Sequence, residues 1–260
     1  MAFVYAISDI HGYLQQLEET LSLVDLESDR KNKIILCGDY IDYGPESCKV
    51  LYRIRELVNS YPEQVIVLKG NHEVMFLEFL SLPNKDIQVF EWLSADKAFS
   101  TINTFLSEDA KLDIENLKIK SKTLSLYEFI TKSIPILKED IFRNHLALIE
   151  WLKSLPYYYE TESQIFVHAG IDEEAEENWK WGTSDEYFVS KYPATFGNFY
   201  KDIIAGHIST SSLAKNRDYH DVYWDKKSHY FIDGDTRISG IIPILIYDTV
   251  IKKYTSHITK

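Results

Sequence analysis

The residues best equipped for chemistry are Asp, His and Asn side chains that recur directly after short apolar runs. Lys33-Ile-Ile-Leu-Cys37 stops at Gly38-Asp39, and a second carboxylate, Asp42, follows three residues on. Val4-Tyr-Ala-Ile7 runs into Asp9-Ile-His11-Gly12, and Val65-Ile-Val-Leu68 into Gly70-Asn71-His72-Glu73. Later, Ile165-Phe-Val167 runs into His168-Ala-Gly170, and Ile203-Ile-Ala205 into Gly206-His207. Taken alone, Gly38-Asp39 reads as a turn before a helix near Pro45. Repetition of the device argues for a shared site instead, with Asp39 as a metal-ligand candidate. Imidazoles, carboxylates and an amide oxygen together make a mixed nitrogen and oxygen donor set, which suits Mn, Fe or Zn better than Ca or Mg.

The elements that must position these groups follow from the pattern around them. A continuous apolar run such as Ile34-Ile-Leu36 is that of a strand covered on both faces, and open α/β sheets gather ligands at the C-terminal ends of such strands. Between the strands, Leu14, Leu17, Leu21 and Val24 recur at helical spacing. Pro45 fits the first turn of a helix that carries Val50, Leu51, Ile54, Leu57 and Val58 to about Tyr61-Pro62. From Glu73 to about Pro156 the strand-plus-ligand unit is missing, and helical periodicity in Val74–Leu80, Ile87–Leu106 and Ile141–Leu152 predicts a helical insertion over about 74–155. Phe76, Phe79, Phe90, Trp92, Phe99 and Phe105 are expected in its core. Lys111–Leu137 carries no clear signal.

Beyond Pro156 the chain returns to β structure, with neighbouring strands expected at Tyr157–Thr161 and Gln164–Val167. Asp172–Glu177 reads as a solvated acidic loop. Trp179 to Phe199 is expected to form a loop and helix lining one wall of the pocket. Tyr230–Asp233, Ile242–Tyr247 and Val250–His257 read as an antiparallel meander turning at Asp233-Gly234-Asp235.

With 260 residues, 45% of them hydrophobic and 14% aromatic, the chain can bury one sizeable core, so residues 1–260 are expected to form a single α/β domain with an insertion. A formal charge of -12 argues against a nucleic-acid backbone as partner, since that affinity rests on clustered Lys and Arg. No signal peptide and no apolar run long enough for a bilayer can be drawn, and the expectation is a cytoplasmic protein without membrane partners. Cys37 and Cys48 read as reduced thiols filling space.

The five ordered motifs resemble those of the phosphoprotein phosphatase family within the calcineurin-like metallophosphoesterases, and are most similar to its small bacterial members. The resemblance runs from about Tyr5 to Gly234 and leaves the middle insertion outside. It implies a sandwich of two mixed β-sheets flanked by helices, with two divalent metals, Mn or else Fe or Zn, at the strand ends. By position, Asp9 and His11 would hold the first metal, Asp39 would bridge both, and Asn71, His168 and His207 would complete the second. Two ions about 3.5–4 Å apart can share a water, lower its pKa and clamp phosphoryl oxygens. His72 would be the general acid, with Asp42 orienting its imidazole and favouring its protonated form. His145, His220, His229 and His257 are read as ordinary side chains.

Two departures stand out. Where the resemblance implies an arginine after the second aspartate of Gly-Asp-x-x-Asp, this chain has Tyr43, and no arginine lies between His168 and His207. A phenol cannot replace a guanidinium fork, so Tyr43 is a substrate-binding candidate of altered chemistry, with Lys180, Lys201, Arg217 and Arg237 as possible substitutes. Ser209 stands where many phosphodiesterases of the fold carry a second His, which favours the phosphoprotein-phosphatase branch. The expectation is a metal-dependent hydrolase of phosphate monoesters, Ser/Thr phosphoprotein or small molecule, working by metal-bound hydroxide. The alternatives are a symmetrical dinucleoside tetraphosphate hydrolase, its bases stacked on Trp179, Trp181, Tyr187 or Phe188, and a catalytically weak module that binds phospho-ligands.

Overall fold

The computed structural model describes residues 2–120 and 125–259. Part of the Lys111–Leu137 stretch, residues 121–124, therefore lies outside the described residues.

Short apolar runs, buried at nearly every position in the central strands, build the two sheets. The first has the order β10-β9-β1-β2-β3, from β1 (Phe3–Ile7), β2 (Lys33–Leu36), β3 (Val65–Val67), β9 (Ile244–Asp248) and β10 (Lys253–His257). The second has the order β4-β5-β6-β8-β7, from β4 (Tyr158–Glu160), β5 (Gln164–Val167), β6 (Asp202–Ser209), β7 (Tyr223–Trp224) and β8 (His229–Asp233). Strands β1, β2 and β3 run parallel, as do β5, β6 and β8, while β9, β10, β4 and β7 pair antiparallel at the flanks. Both sheets are mixed, and their parallel centres supply the strand ends that carry the motifs.

Alternate side chains of each strand face different layers. Val4, Ala6, Ile35 and Cys37 meet Phe166, Ile204 and Ile232 in one apolar cluster, which is the seam between the sheets. Their neighbours Tyr5, Ile7, Ile34 and Leu36 face the other way, into a larger cluster shared with helices. On the outer side of the second sheet, Ile165, Val167, Ile203 and Ala205 pack on Trp179 and Phe188.

The helices are α1 (Leu14–Leu21), α2 (Ser47–Ser60), α3 (Asn71–Ser81), α4 (Ile87–Ser94), α5 (Asp96–Asn103), α6 (Glu108–Lys120) and α7 (Leu126–Ser154). Shorter ones follow: α8 (Trp179–Gly182), α9 (Asp185–Ser190), α10 (Thr210–Leu213) and α11 (Thr236–Ser239). Between β3 and β4 the described residues form helices, and Phe76, Phe79 and Phe105 are buried in the cluster that also holds the outer face of the first sheet. Phe90, Trp92 and Phe99 pack against the same cluster partly buried. In α7 the helical path breaks at His145, whose ring is held by the Tyr52 hydroxyl and the Phe105 carbonyl. Among the described residues no helix is long and apolar enough to cross a membrane, and both cysteines are free and buried.

Three expectations need correction. The three C-terminal segments are not one meander: β8 joins the second sheet parallel to β6, whereas β9 and β10 form a hairpin on the first. Hydrophobic alternation reports that a strand has a buried face, not which sheet takes it, and Asp233-Gly234-Asp235 opens a crossing between sheets rather than a hairpin. Trp179 is fully buried and Phe188 nearly so, because the outer face of the second sheet needs an apolar cover and these rings provide it, whereas Asp185, Glu186, Val189 and Ser190 of the same stretch do line a cavity together with Asn71. The acidic run is a short 3-10 helix, Glu173–Asn178, anchored by Glu173, which pairs with Lys191 and with His229.

Candidate metal centre

The parallel register delivers the motif loops side by side. As β1 and β2 end, the backbone N–H of Asp9, His11 and Gly12 donates to the carbonyls of Gly38, Asp39 and Tyr40, and Gly44 N–H returns to the His11 carbonyl. The loops therefore share one ladder. To make their side chains converge, the backbone turns left-handed at Asp9, His11, Asp39, Asp42, Tyr43 and His207, with φ between 51° and 74°. Such conformations are uncommon outside glycine and cluster at functional sites. Two glycines allow the closest approaches: a Cβ at Gly70 would lie 2.2 Å from Asp39 Oδ1, and one at Gly206 would lie 2.2 Å from Asp9 Oδ2.

The predicted ligand residues gather here, with His72, Asp42 and Tyr43 beside them. Asp39 stands at the centre, with Oδ2 3.3 Å from His168 Nε2, 3.7 Å from His72 Nε2 and 3.9 Å from His11 Nε2. Among the described residues two groups have ligand atoms close enough for one ion: His11, Asp39 and His72, and Asp39, His168 and His207. Asp9 falls outside both but lies 3.9 Å from His11 Nε2, and its carboxylate accepts the His207 backbone N–H at 3.0 Å. His207 sits at an irregularity in the β6–β8 pairing, which turns it out of the ladder. Asn71 Oδ1 is 2.9 Å from His168 Nε2.

The second ring nitrogens explain the orientation. His11 Nδ1 meets the Ile41 carbonyl at 2.9 Å, and His168 Nδ1 meets the Cys37 carbonyl at 2.8 Å. Backbone acceptors at Nδ1 fix the tautomer that turns the Nε2 lone pair inward, the outer-shell arrangement of metal-binding imidazoles. For neutral His168 that lone pair would face Asn71 Oδ1 and Asp39 Oδ2, which are acceptors too. A proton or a cation is needed between them.

Electrostatics state the same conflict. Burial, then Asp233, pushes the Asp9 carboxyl well above the usual carboxylate range, and burial lifts Asp233 to about 7. Burial would also raise Asp39, but the His168 and His72 imidazoles outweigh it and hold it well below. Burial works against charge on His168, yet Asp39 carries it up to about 10. His11 and His207, desolvated as well, fall to about 4. Protons thus relieve acceptor crowding that divalent cations would relieve better, so the donor set fits metal ions.

His72 and Asp42 form a separate buried pair, with Nδ1 and Oδ2 2.6 Å apart. Tyr43 stands beside them, its ring centroid 5.0 Å from that of His11 and 5.5 Å from that of His72.

Sequence reasoning missed several supporting residues. Glu73 is fully buried, and its carboxylate accepts the backbone N–H groups of Asp39, Tyr40 and Gly70. Burial and the Asp39 charge raise it to about 7. Its place in Gly70-Asn71-His72-Glu73 was the available signal. Asp233 and Thr236, which donates from Oγ1 to the Asp9 carbonyl at 2.7 Å, gave no comparable signal in an apparent turn.

A family model described as calcineurin-like phosphoesterase matches residues 4–235. Among curated proteins the chain is similar to Shewanella-like protein phosphatase 2 of Arabidopsis thaliana, 26% identical over 192 residues that cover 64% of this chain and 46% of that protein. It is similar as well to a symmetrical bis(5'-nucleosyl)-tetraphosphatase of Nitrosospira multiformis, 27% identical over 125 residues, 42% of this chain and 43% of that protein. The matched chain thus spans less than half the length of these two relatives. Among solved structures, a cold-active protein-tyrosine phosphatase of a psychrophilic Shewanella superposes with a TM-score of 0.54 at 16% identity, over 99% of this chain and 80% of that chain. At that identity the likeness is one of fold.

Proposed function

This chain belongs to the calcineurin-like phosphoesterase family, and from that membership we propose that it is a two-metal phosphatase acting on phosphate monoesters, phosphorylated Ser or Thr of proteins among them. The observation that carries the reading is Asp39, one carboxylate shared by the two ligand groups at the strand ends. Asp9 and His11 would hold one ion, Asn71, His168 and His207 the other, with Asp39 common to both. The mixed donor set suits Mn, Fe or Zn better than Ca or Mg, and Mn is the ion we propose, with Fe and Zn as alternatives. Such ions would supply Lewis acidity toward phosphoryl oxygens and make water nucleophilic near neutral pH.

The chain's own residues account for the proton. Asp42 accepts from His72 Nδ1 at 2.6 Å, which fixes the ring and compensates its charge when Nε2 is also protonated. Nε2 then faces the site, 3.7 Å from Asp39 Oδ2, and its proton passes to the leaving alkoxide oxygen as the P–O bond breaks. His11, Tyr43 and His72 form an aromatic rim over that position. We assign residues 74–155 as a helical insertion between the two halves of the sandwich.

Similarity to the Nitrosospira tetraphosphatase favours a second reading, hydrolysis of a symmetrical dinucleoside tetraphosphate. A base would then stack on Tyr43 or on the exposed Trp181 or Tyr187 rather than on Trp179 or Phe188, which are buried. Turnover of p-nitrophenyl phosphate, phosphopeptides and diadenosine tetraphosphate by Mn-loaded protein tests both readings. Preference for the dinucleotide selects the second. Ion binding without turnover of any of them leaves a phospho-ligand binding module and overturns both.

A further inference from the structure

Resting on the phosphatase reading, we propose that Arg237 supplies the guanidinium that grips the phosphoryl group, with Tyr43 as the ring that positions it. The sequence lacks arginine at the position now held by Tyr43, yet the structure returns one from the far end of the chain. Arg237 Cζ stands 4.7 Å from the centroid of the Tyr43 ring. That ring is itself 5.0 Å from His11 and 5.5 Å from His72, centroid to centroid. One aromatic ring therefore separates the guanidinium from a ligand and from the proton donor.

The placement is anchored. Arg237 follows Thr236, whose hydroxyl donates to the backbone carbonyl of Asp9, a ligand residue, at 2.7 Å. Asp235 is left-handed at φ 55°, and Asp233 before it is buried. The crossing from the second sheet back to the first is thereby pinned over the centre, and α11 rises from it with Arg237 exposed toward solvent.

Stacking occupies the face of a guanidinium and leaves its edge N–H donors directed outward, where they can bind two phosphoryl oxygens. A ring beneath also limits the rotamers of a long side chain, so less freedom is lost when the anion arrives. The other candidate cations lack this setting. Lys180 and Lys201 both pair with Glu160, and Arg217 lies in the exposed loop after α10. A clamp of this kind favours the dianion of a monoester over the monoanion of a diester.

The test uses Mn-loaded protein with p-nitrophenyl phosphate, bis-p-nitrophenyl phosphate and inorganic phosphate. Arg237→Ala is expected to raise KM for the monoester and the phosphate inhibition constant by about 10–100-fold, the worth of a lost charge-assisted pair, while the diester changes far less. Added guanidinium should restore part of the loss, and Arg237→Lys should keep part of the affinity. Tyr43→Leu should resemble Arg237→Ala, and the double variant should be no worse than either single one. An active Arg237→Ala protein with unchanged KM and phosphate inhibition overturns the proposal, as does an equal loss for monoester and diester. Calorimetric titration of inorganic phosphate separates the two levels: a wild type that hydrolyses nothing refutes the phosphatase reading, whereas equal phosphate affinity in wild type and Arg237→Ala refutes the role of Arg237.

Discussion

His72 Nδ1 and Asp42 Oδ2 meet at 2.6 Å inside the protein, while Asp42 Oδ1 is buried with no hydrogen-bond partner among the described residues. A carboxylate committed so fully to one imidazole holds it in place and balances its positive charge. Replacing His72 by Asn is expected to lower turnover of alkyl phosphates by about 10²–10⁴ with metal content unchanged. Esters with good leaving groups should lose much less. Equal losses for both would mean that His72 acts as a ligand, which its grouping with His11 and Asp39 also permits.

Asp39→Asn should strip metal from the protein more severely than any other single ligand change, because Asp39 belongs to both ligand groups. Elemental analysis of protein prepared with Mn should fall from near two ions per chain toward none. Retention of both ions with normal activity would refute the bridging role.

The metal-free protein should depend on pH through His168. Its imidazole lies at about 10 in the folded state, against an ordinary value of about 6.5. A raised value means stability that is complete below the ordinary pKa and is lost as pH rises through the folded one. Melting temperature of chelated protein should therefore drop between about pH 7 and 10, and drop less in His168→Asn. Mn affinity should rise across the same window, since the ligand must shed its proton. A wild type and His168→Asn with parallel melting profiles would contradict this.

Trp179 is expected to matter for stability and not for substrate choice. Its indole is fully buried and donates to the Tyr200 hydroxyl at 2.9 Å. Trp179→Ala should cost about 3–5 kcal/mol in chemical denaturation. Any soluble fraction should keep the wild-type ratio of activities toward phosphopeptide and dinucleotide; a shifted ratio would return Trp179 to the binding wall.

The site was legible in the sequence where its signals are local. An apolar run ending in Gly-Asp or Gly-Asn-His reports both the strand and the group at its end, so Asp9, Asp39, Asn71, His168 and His207 could be found by inspection. Contacts between distant segments leave no such trace. Nothing near Thr236 or Arg237 says that a four-residue helix folds over Asp9 and Tyr43. Likewise β8 is a short run buried at every position, and only pairing with β6 assigns it to the second sheet. Trp179 was misread because an aromatic beside a polar run can cover a sheet or line a cleft, and residue type alone does not distinguish them.

The proposed ligand residues are divided between the sheets: Asp9, His11, Asp39 and Asn71 follow strands of the first, while His168 follows a strand of the second and His207 lies within one. Ions held there would act as a clasp, tying together two layers already joined by the apolar seam and by hydrogen bonds such as that of the Tyr254 hydroxyl to Asp202. Binding energy spent on the clasp is felt by every strand that it joins. Loaded protein should open as one body, with amide hydrogens of β2 and β5 exchanging at a common slow rate. Stripped protein should let the halves loosen separately, so that a chelator would change how the molecule breathes well before it changes what the molecule looks like.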